Sequence, residues 1–211
     1  MTYIENTFVC IAAPLFIVAL CAGRRRRVSY LLLIAGMGIC VLSAYINTFF
    51  MGCYGADAVG ASINIAPVVE ESMKLLPLVF YLLVFEPKRE DARDAVLRIA
   101  AGFATFENIC YLLQNGSANL GHLLIRGFGT GATHIVCGAI LGYGILYLRK
   151  RPALKIVCMA GLLCVAVTYH AIYNLLLSVG GRVQIAGYFM PIVTVAAGLI
   201  VGAAERARRK N

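Results

Sequence analysis

Apolar residues gather along the chain in seven long blocks, near residues 6–23, 29–50, 64–85, 95–114, 128–148, 156–177 and 185–203, separated by short polar or basic connections. A helix needs about 20 such residues to cross the ~30 Å hydrocarbon core of a bilayer, and ~17 suffice. The pattern predicts an all-α, polytopic membrane helix bundle with about seven transmembrane helices. No linker, low-complexity run or internal repeat interrupts it, so residues 1–211 read as a single integral membrane domain. The first block is short, lacks the cleavage pattern of a signal peptide and is followed rather than preceded by basic residues. It reads as an uncleaved anchor.

Composition agrees. Of 211 residues, 61% are hydrophobic and 14% charged, a balance that a soluble domain of this size rarely approaches. On a soluble protein the net charge of +9 would suggest nucleic acid, but its placement here excludes that partner and points to a lipid bilayer. Arg24–Arg27 follow block one, and Lys88, Arg89, Arg93 and Arg98 follow block three. Arg149, Lys150, Arg151 and Lys155 follow block five, and Arg206, Arg208, Arg209 and Lys210 follow block seven. The other three connections hold only Arg126 and Arg182. Sixteen basic residues against two place the N-terminus outside and the C-terminus inside. An eighth helix would break the alternation. The eight cysteines contain no CxxC pair; seven fall within or at the edge of apolar blocks, and Cys53 is expected in a polar loop. Neither a disulfide framework nor a thiolate metal site is expected.

Polar residues inside the blocks change the picture. Glu70, Glu71 and Lys74 lie in block three, Glu107 in block four, His134 in block five and His170 in block six. A charge at the bilayer centre costs roughly 2.5–3.5 kcal/mol on insertion scales, so a chain that carries several is expected to use them. With the orientation above, the three Glu and two His each lie six or seven residues from the outer end of their block. That depth is roughly 9–11 Å at ~1.5 Å per residue, a single layer in the outer half of the membrane. Helical spacing sets Glu70 beside Lys74 as an ion pair, aligns Phe103, Glu107 and Tyr111 with Asn108 adjacent, and puts Asn174 on the face of His170. Plainer readings compete residue by residue. A lone intramembrane His is commonly an interhelical hydrogen-bonding group, a Glu–Lys pair can be structural, and Asn108, Tyr111, Asn174 and the glycines around block five suit helix packing. The co-planar set points to function.

Peptide hydrolysis within a membrane needs a water, a base to activate it and donors for the developing oxyanion. A buried Glu can act as base and then as acid, and a His and an Asn one helical turn apart suit the oxyanion. No GxSxG occurs, and Asp57, Asp91 and Asp94 all lie in connections, which leaves no paired-aspartate site. Glutamate or metal activation of water remains. Glu70, Glu107, His134 and His170 would also suit Zn²⁺ or another divalent ion, although HExxH is absent. The cofactor stays open between none and such a metal.

Glu70-Glu71-Ser72-Met73-Lys74 matches EExxK, and Gly102 to Asn108 with Tyr111 matches GFAxxENxxY. His134 with Gly138 and Gly142 matches HxxxGxxxG, and His170 with Asn174 matches HxxxN. In this order, over residues 64–177, they resemble the PrsW family of intramembrane proteases, which shares a clan with CAAX prenyl proteases and bacteriocin-processing enzymes. The resemblance implies site-1-type cleavage of a single-span membrane protein such as an anti-sigma factor, in a bacterial plasma membrane. It implies an active site towards the extracytoplasmic side and a four-helix catalytic core over residues 64–177. Glu70 would be the base, Glu71 its support and Lys74 a balancing charge, while Glu107 would orient the water or share its proton. His170 and Asn174 would hold the oxyanion, and His134 would polarise the scissile carbonyl or ligate a metal. The family often has Asp where this chain has Asn174, a change that suits a donor and weakens a ligand. Two rivals stand beside this reading: a catalytically inactive membrane scaffold, like the gamma-secretase subunit of the same clan, and a proton-coupled transporter. Confinement of the polar residues to one layer argues against the transporter.

Overall fold

The computed structural model describes residues 4–115, 120–147 and 152–208, and these form eight α-helices. They are α1 (Ile4–Cys21), α2 (Arg24–Tyr54), α3 (Ala58–Asn64), α4 (Ala66–Phe85), α5 (Arg89–Asn115), α6 (Leu120–Tyr147), α7 (Pro152–Val179) and α8 (Gly181–Arg208). All seven expected blocks are helical. The eighth helix is the seven-residue α3, about 10 Å long at 1.5 Å per residue and too short to cross a bilayer. Five helices, α2, α5, α6, α7 and α8, contain stretches long and apolar enough to span a membrane. The apolar stretch of α1, Thr7–Cys21, is shorter. The 20-residue α4 carries Glu70, Glu71 and Lys74 at its centre and first half, so no long stretch of it is free of charge.

The helix ends explain where the expected boundaries move. The basic run opens α2 rather than preceding it, because the Arg27 guanidinium donates to the carbonyls of Ala19, Leu20 and Ala22 at 3.3–3.4 Å. Those carbonyls end α1 and have no helical partners of their own. At the other end α2 continues past the expected boundary to Tyr54, so Cys53 lies in its last turn and not in a loop. It is exposed, and all eight cysteines are free. Gly55, at φ 61°, closes α2 in the left-handed conformation. Asp57 then caps α3 by accepting the Gly60 N–H at 2.7 Å.

Arg24, Arg25, Lys88 and Arg98 gather around a cleft of about 640 Å³, with Arg25 3.4 Å from Asp91. This basic cleft sits at the start of α2, the opposite end from Gly55 and α3. Of the other residues that orient the chain, 149–151, 209 and 210 lie outside the described residues.

The tightest crossing joins α2 to α5. A Cβ on Gly102 would stand 2.1 Å from the Leu33 carbonyl oxygen, and one on Gly36 2.2 Å from that of Ile99. Only glycine lets the two backbones meet this closely. On α6, Gly138 and Gly142 press on Ala100 and Val96 of α5 in the same way. The motif glycines thus serve packing, and they set α5 between α2 and α6. Gly102→Ala is expected to destabilise the protein by about 1–3 kcal/mol or more, as overpacked cores do. An unchanged melting temperature in detergent would refute the α2–α5 packing.

Candidate active site

The first three turns of α4 bring Glu70, Glu71 and Lys74 against α2, α6 and α7. Pro67 at the head of α4 suits the first turn, where its missing N–H has no partner to lose. Glu71 is fully buried and Lys74 nearly so, and the Lys74 ammonium donates to Glu71 Oε1 at 2.7 Å. The expected Glu70–Lys74 pair is replaced by this one. Positions three and four apart both neighbour Lys74 on a helix, and here the third wins. The same ammonium lies 2.9 Å from His134 Nδ1 of α6 and 4.8 Å from the centre of the Phe103 ring.

The contacts continue in both directions. His134 Nε2 donates to Glu107 Oε2 on α5, which fixes Nδ1 as acceptor from Lys74. His170 Nδ1 of α7 donates to Glu71 Oε1 at 2.8 Å. The two imidazoles stand edge to face with centres 5.2 Å apart. A continuous interior chain therefore runs Glu107–His134–Lys74–Glu71–His170 through four helices. A charge assembly this dry is tolerable only because nearly every member is paired.

Glu70 closes the chain differently. Its Oε1 accepts Asn47 Nδ2 of α2 at 3.3 Å. Its Oε2 is buried with no hydrogen-bond partner among the described residues and lies 3.9 Å from His170 Nε2. Because Nδ1 is engaged with Glu71, a neutral His170 presents the lone pair of Nε2. Two electron-pair donors facing one another across this gap are complementary to a water that donates to both, or to a cation. Glu70, His134 and His170 offer ligand atoms within 4.8 Å of one another. Both His134 nitrogens are engaged, so Glu70 Oε2 and His170 Nε2 are the pair ready for a divalent metal, and His134 would join them only on release from Glu107 or Lys74. Glu107, the fourth member of the expected ligand set, stands outside this group and is held by His134.

The remaining candidates surround the chain. Asn174 Nδ2 donates to the Ser62 carbonyl at 2.7 Å and so ties α7 to α3. Asn108 donates to the Gly127 carbonyl at 3.4 Å and accepts from Arg126 at 2.5 Å. Tyr111 Oη lies 3.5 Å from His122 Nε2, and its ring lies under the Arg126 guanidinium, 3.5 Å from ring centre to Cζ.

Three participants escaped the sequence reading. Ser43 and Asn47 are polar residues inside block two, but uncharged ones cost little to bury and give a weak signal. Arg126 read only as a charge in a connection, yet it belongs to α6, is 12% exposed and lies 3.7 Å from Glu107 Oε1. Arg126→Met is expected to lower activity about tenfold or more by releasing Glu107, on the scale of a lost charge-assisted contact. Lys at 126 should recover part of it in the same cleavage assay, and full activity in the Met variant would remove Arg126 from the site.

These features define a polytopic helical membrane protein with a carboxylate–imidazole site in its interior. The sequence model of the PrsW family intramembrane metalloproteases matches residues 24–209, and the chain belongs to that family. Membership places it among the intramembrane proteases. Searches of curated proteins and of solved structures found no match.

Proposed function

We propose that the protein is an endopeptidase that makes a site-1-type cut in a single-span membrane protein of the anti-sigma-factor kind. The cut falls near the outer face of a bacterial plasma membrane and uses water activated at Glu70. The carrying observation is the buried, unpartnered Glu70 Oε2 opposite His170 Nε2. The outer placement is supported by Arg24, Arg25, Lys88 and Arg98, which gather at the end of α2 far from α3.

In this reading a water between the two atoms loses a proton to Glu70 as its oxygen attacks the scissile carbonyl. The proton passes to His170 Nε2, and the imidazolium, held at Nδ1 by Glu71, donates to the oxyanion and then to the leaving amine. Lys74 pairs with Glu71 and holds His134 in one tautomer. Glu107 and Arg126 anchor His134 from the other side. Asn174 supplies a second oxyanion donor once it leaves the Ser62 carbonyl. A divalent metal would be held by Glu70 and His170, joined by His134 only on its release from Glu107 or Lys74, and would supply Lewis acidity for the same hydrolysis.

The test is co-expression of a tagged single-span anti-sigma-type protein with the wild type and with Glu70→Gln. A shortened product with the wild type alone is the expected result. Identical patterns would overturn the reading. Chelator added to the purified pair then distinguishes metal-dependent from glutamate-only chemistry.

A further inference from the structure

Ser43, Asn47, Phe50 and Tyr54 are spaced four, three and four residues apart and share one face of α2. The face is polar at its inner end and apolar at its outer end. Ser43 is 1% exposed, and Ser43 Oγ and Asn47 Oδ1 are buried without a hydrogen-bond partner among the described residues. Asn47 reaches Glu70 through its other amide atom. One turn further out, Phe50 and Tyr54 line a cavity of about 840 Å³, with Asn64 of α3 and Val68 and Val69 of α4 on its other side. That volume lies within the ~300–1,000 Å³ of ligand sites. The one charged side chain lining it is Asp57, which caps α3 through one carboxylate oxygen and keeps its negative charge. Asn174 ties α3 to α7. Phe50 lines the cavity, and Asn47, three residues before it on the same face of α2, holds Glu70, so the cavity opens about one helical turn from the carboxylate.

We propose that this cleft between α2 and the α3–α4 corner is the binding groove for an unwound, uncharged stretch of peptide. The stretch is the outer end of a substrate's membrane span. The inference rests on the peptidase reading above and adds where and in what conformation the substrate sits. A helical segment satisfies its own backbone, whereas an unwound one brings free N–H groups that cost several kcal/mol each in hydrocarbon. Asn47 Oδ1 is an acceptor in want of such a donor and stands next to Glu70, and Ser43 Oγ, another, lies one turn deeper on the same face of α2. Phe50, Tyr54 and Val68 receive the apolar side chains, and the largely apolar wall disfavours charged ones, Asp and Glu most because of the Asp57 carboxylate.

The probe is a synthetic single-span peptide of leucine and alanine with a Gly-Ala break at its outer end and a diazirine at the break. It is mixed in nanodiscs with the Glu70→Gln protein and irradiated. Adducts on Phe50, Tyr54 or Val68 are expected. Adducts confined to lipid-facing positions such as Val193 and Leu199 would overturn the groove. With the otherwise unmodified enzyme, Val68→Trp should fill the cleft and raise KM for the peptide about tenfold with kcat little changed, the mark of lost binding. Val193→Trp should do nothing, and equal KM values for the two variants would also overturn the groove. Cleavage by the wild type with adducts only outside the cleft refutes the groove and leaves the peptidase standing. Adducts in the cleft with no cleavage support the groove and count against the peptidase.

Discussion

Glu70→Gln is expected to lower cleavage by roughly 10²–10⁴-fold, the usual share of a general base, with the melting temperature nearly unchanged. The amide keeps the volume of the carboxylate and an oxygen to accept Asn47 Nδ2. It cannot take a proton, and that is the one property the proposed chemistry needs. Glu70 makes a cleaner test than its neighbours. Glu107→Ala and His134→Ala should also abolish processing, but His134 is fully buried between Lys74, Glu107 and Phe103, so its loss leaves two charges short of a partner. Purified enzyme, a single-span substrate and a melting curve suffice. A Gln variant that cleaves at close to the wild-type rate would end the Glu70 mechanism.

The largest effect on stability is expected at Lys74. Its ammonium is the one cation in contact with Glu71, whose carboxylate is wholly buried. Removing one partner of a buried pair typically costs about 3–5 kcal/mol, because the other charge stays behind in a medium that solvates it poorly. Lys74→Met, which keeps the length of the stem, should therefore lower the melting temperature more than any surface substitution. Glu71→Gln added to Lys74→Met should restore much of the stability, since neither charge then remains and the Gln oxygen still accepts His170 Nδ1–H. Activity should stay low in both, as His134 loses the donor that sets its tautomer. A double-mutant cycle on melting temperature reads the coupling directly. Additive losses would mean that the pair is not the partnership described.

Both predictions rest on residues that were legible before any coordinates. Charges within apolar blocks are expensive to insert, so Glu70, Glu71, Lys74, Glu107, His134 and His170 announced themselves, and the equal distance of the three Glu and two His from one end of each block pointed to one layer. The structure brings all six into one connected set. Periodicity could not choose between Glu70 and Glu71 as the partner of Lys74. Both positions lie within reach along α4, and the choice depends on where α6 and α7 place His134 and His170. Asn47 and Ser43 were invisible for the opposite reason to the carboxylates: an uncharged polar residue in a long apolar helix raises no alarm. Arg126 was misplaced because a block boundary drawn on hydropathy cuts α6 short, whereas a long side chain stacked on Tyr111 can sit inside the helix.

The amino-acid order alone determined the helical, membrane-embedded class, the blocks and the ionisable residues of the site, because each follows from the cost of moving a side chain or a backbone into hydrocarbon, and its ordered motifs carried the family. The tertiary structure decided how the helices turn towards one another. That rotation is set by close contacts such as Gly102 on Leu33 and Gly36 on Ile99, which hydropathy does not encode. From it follow the Lys74–Glu71 pair, the Asn47–Glu70 contact, the tie from Asn174 to α3, and the cleft between α2 and the α3–α4 corner.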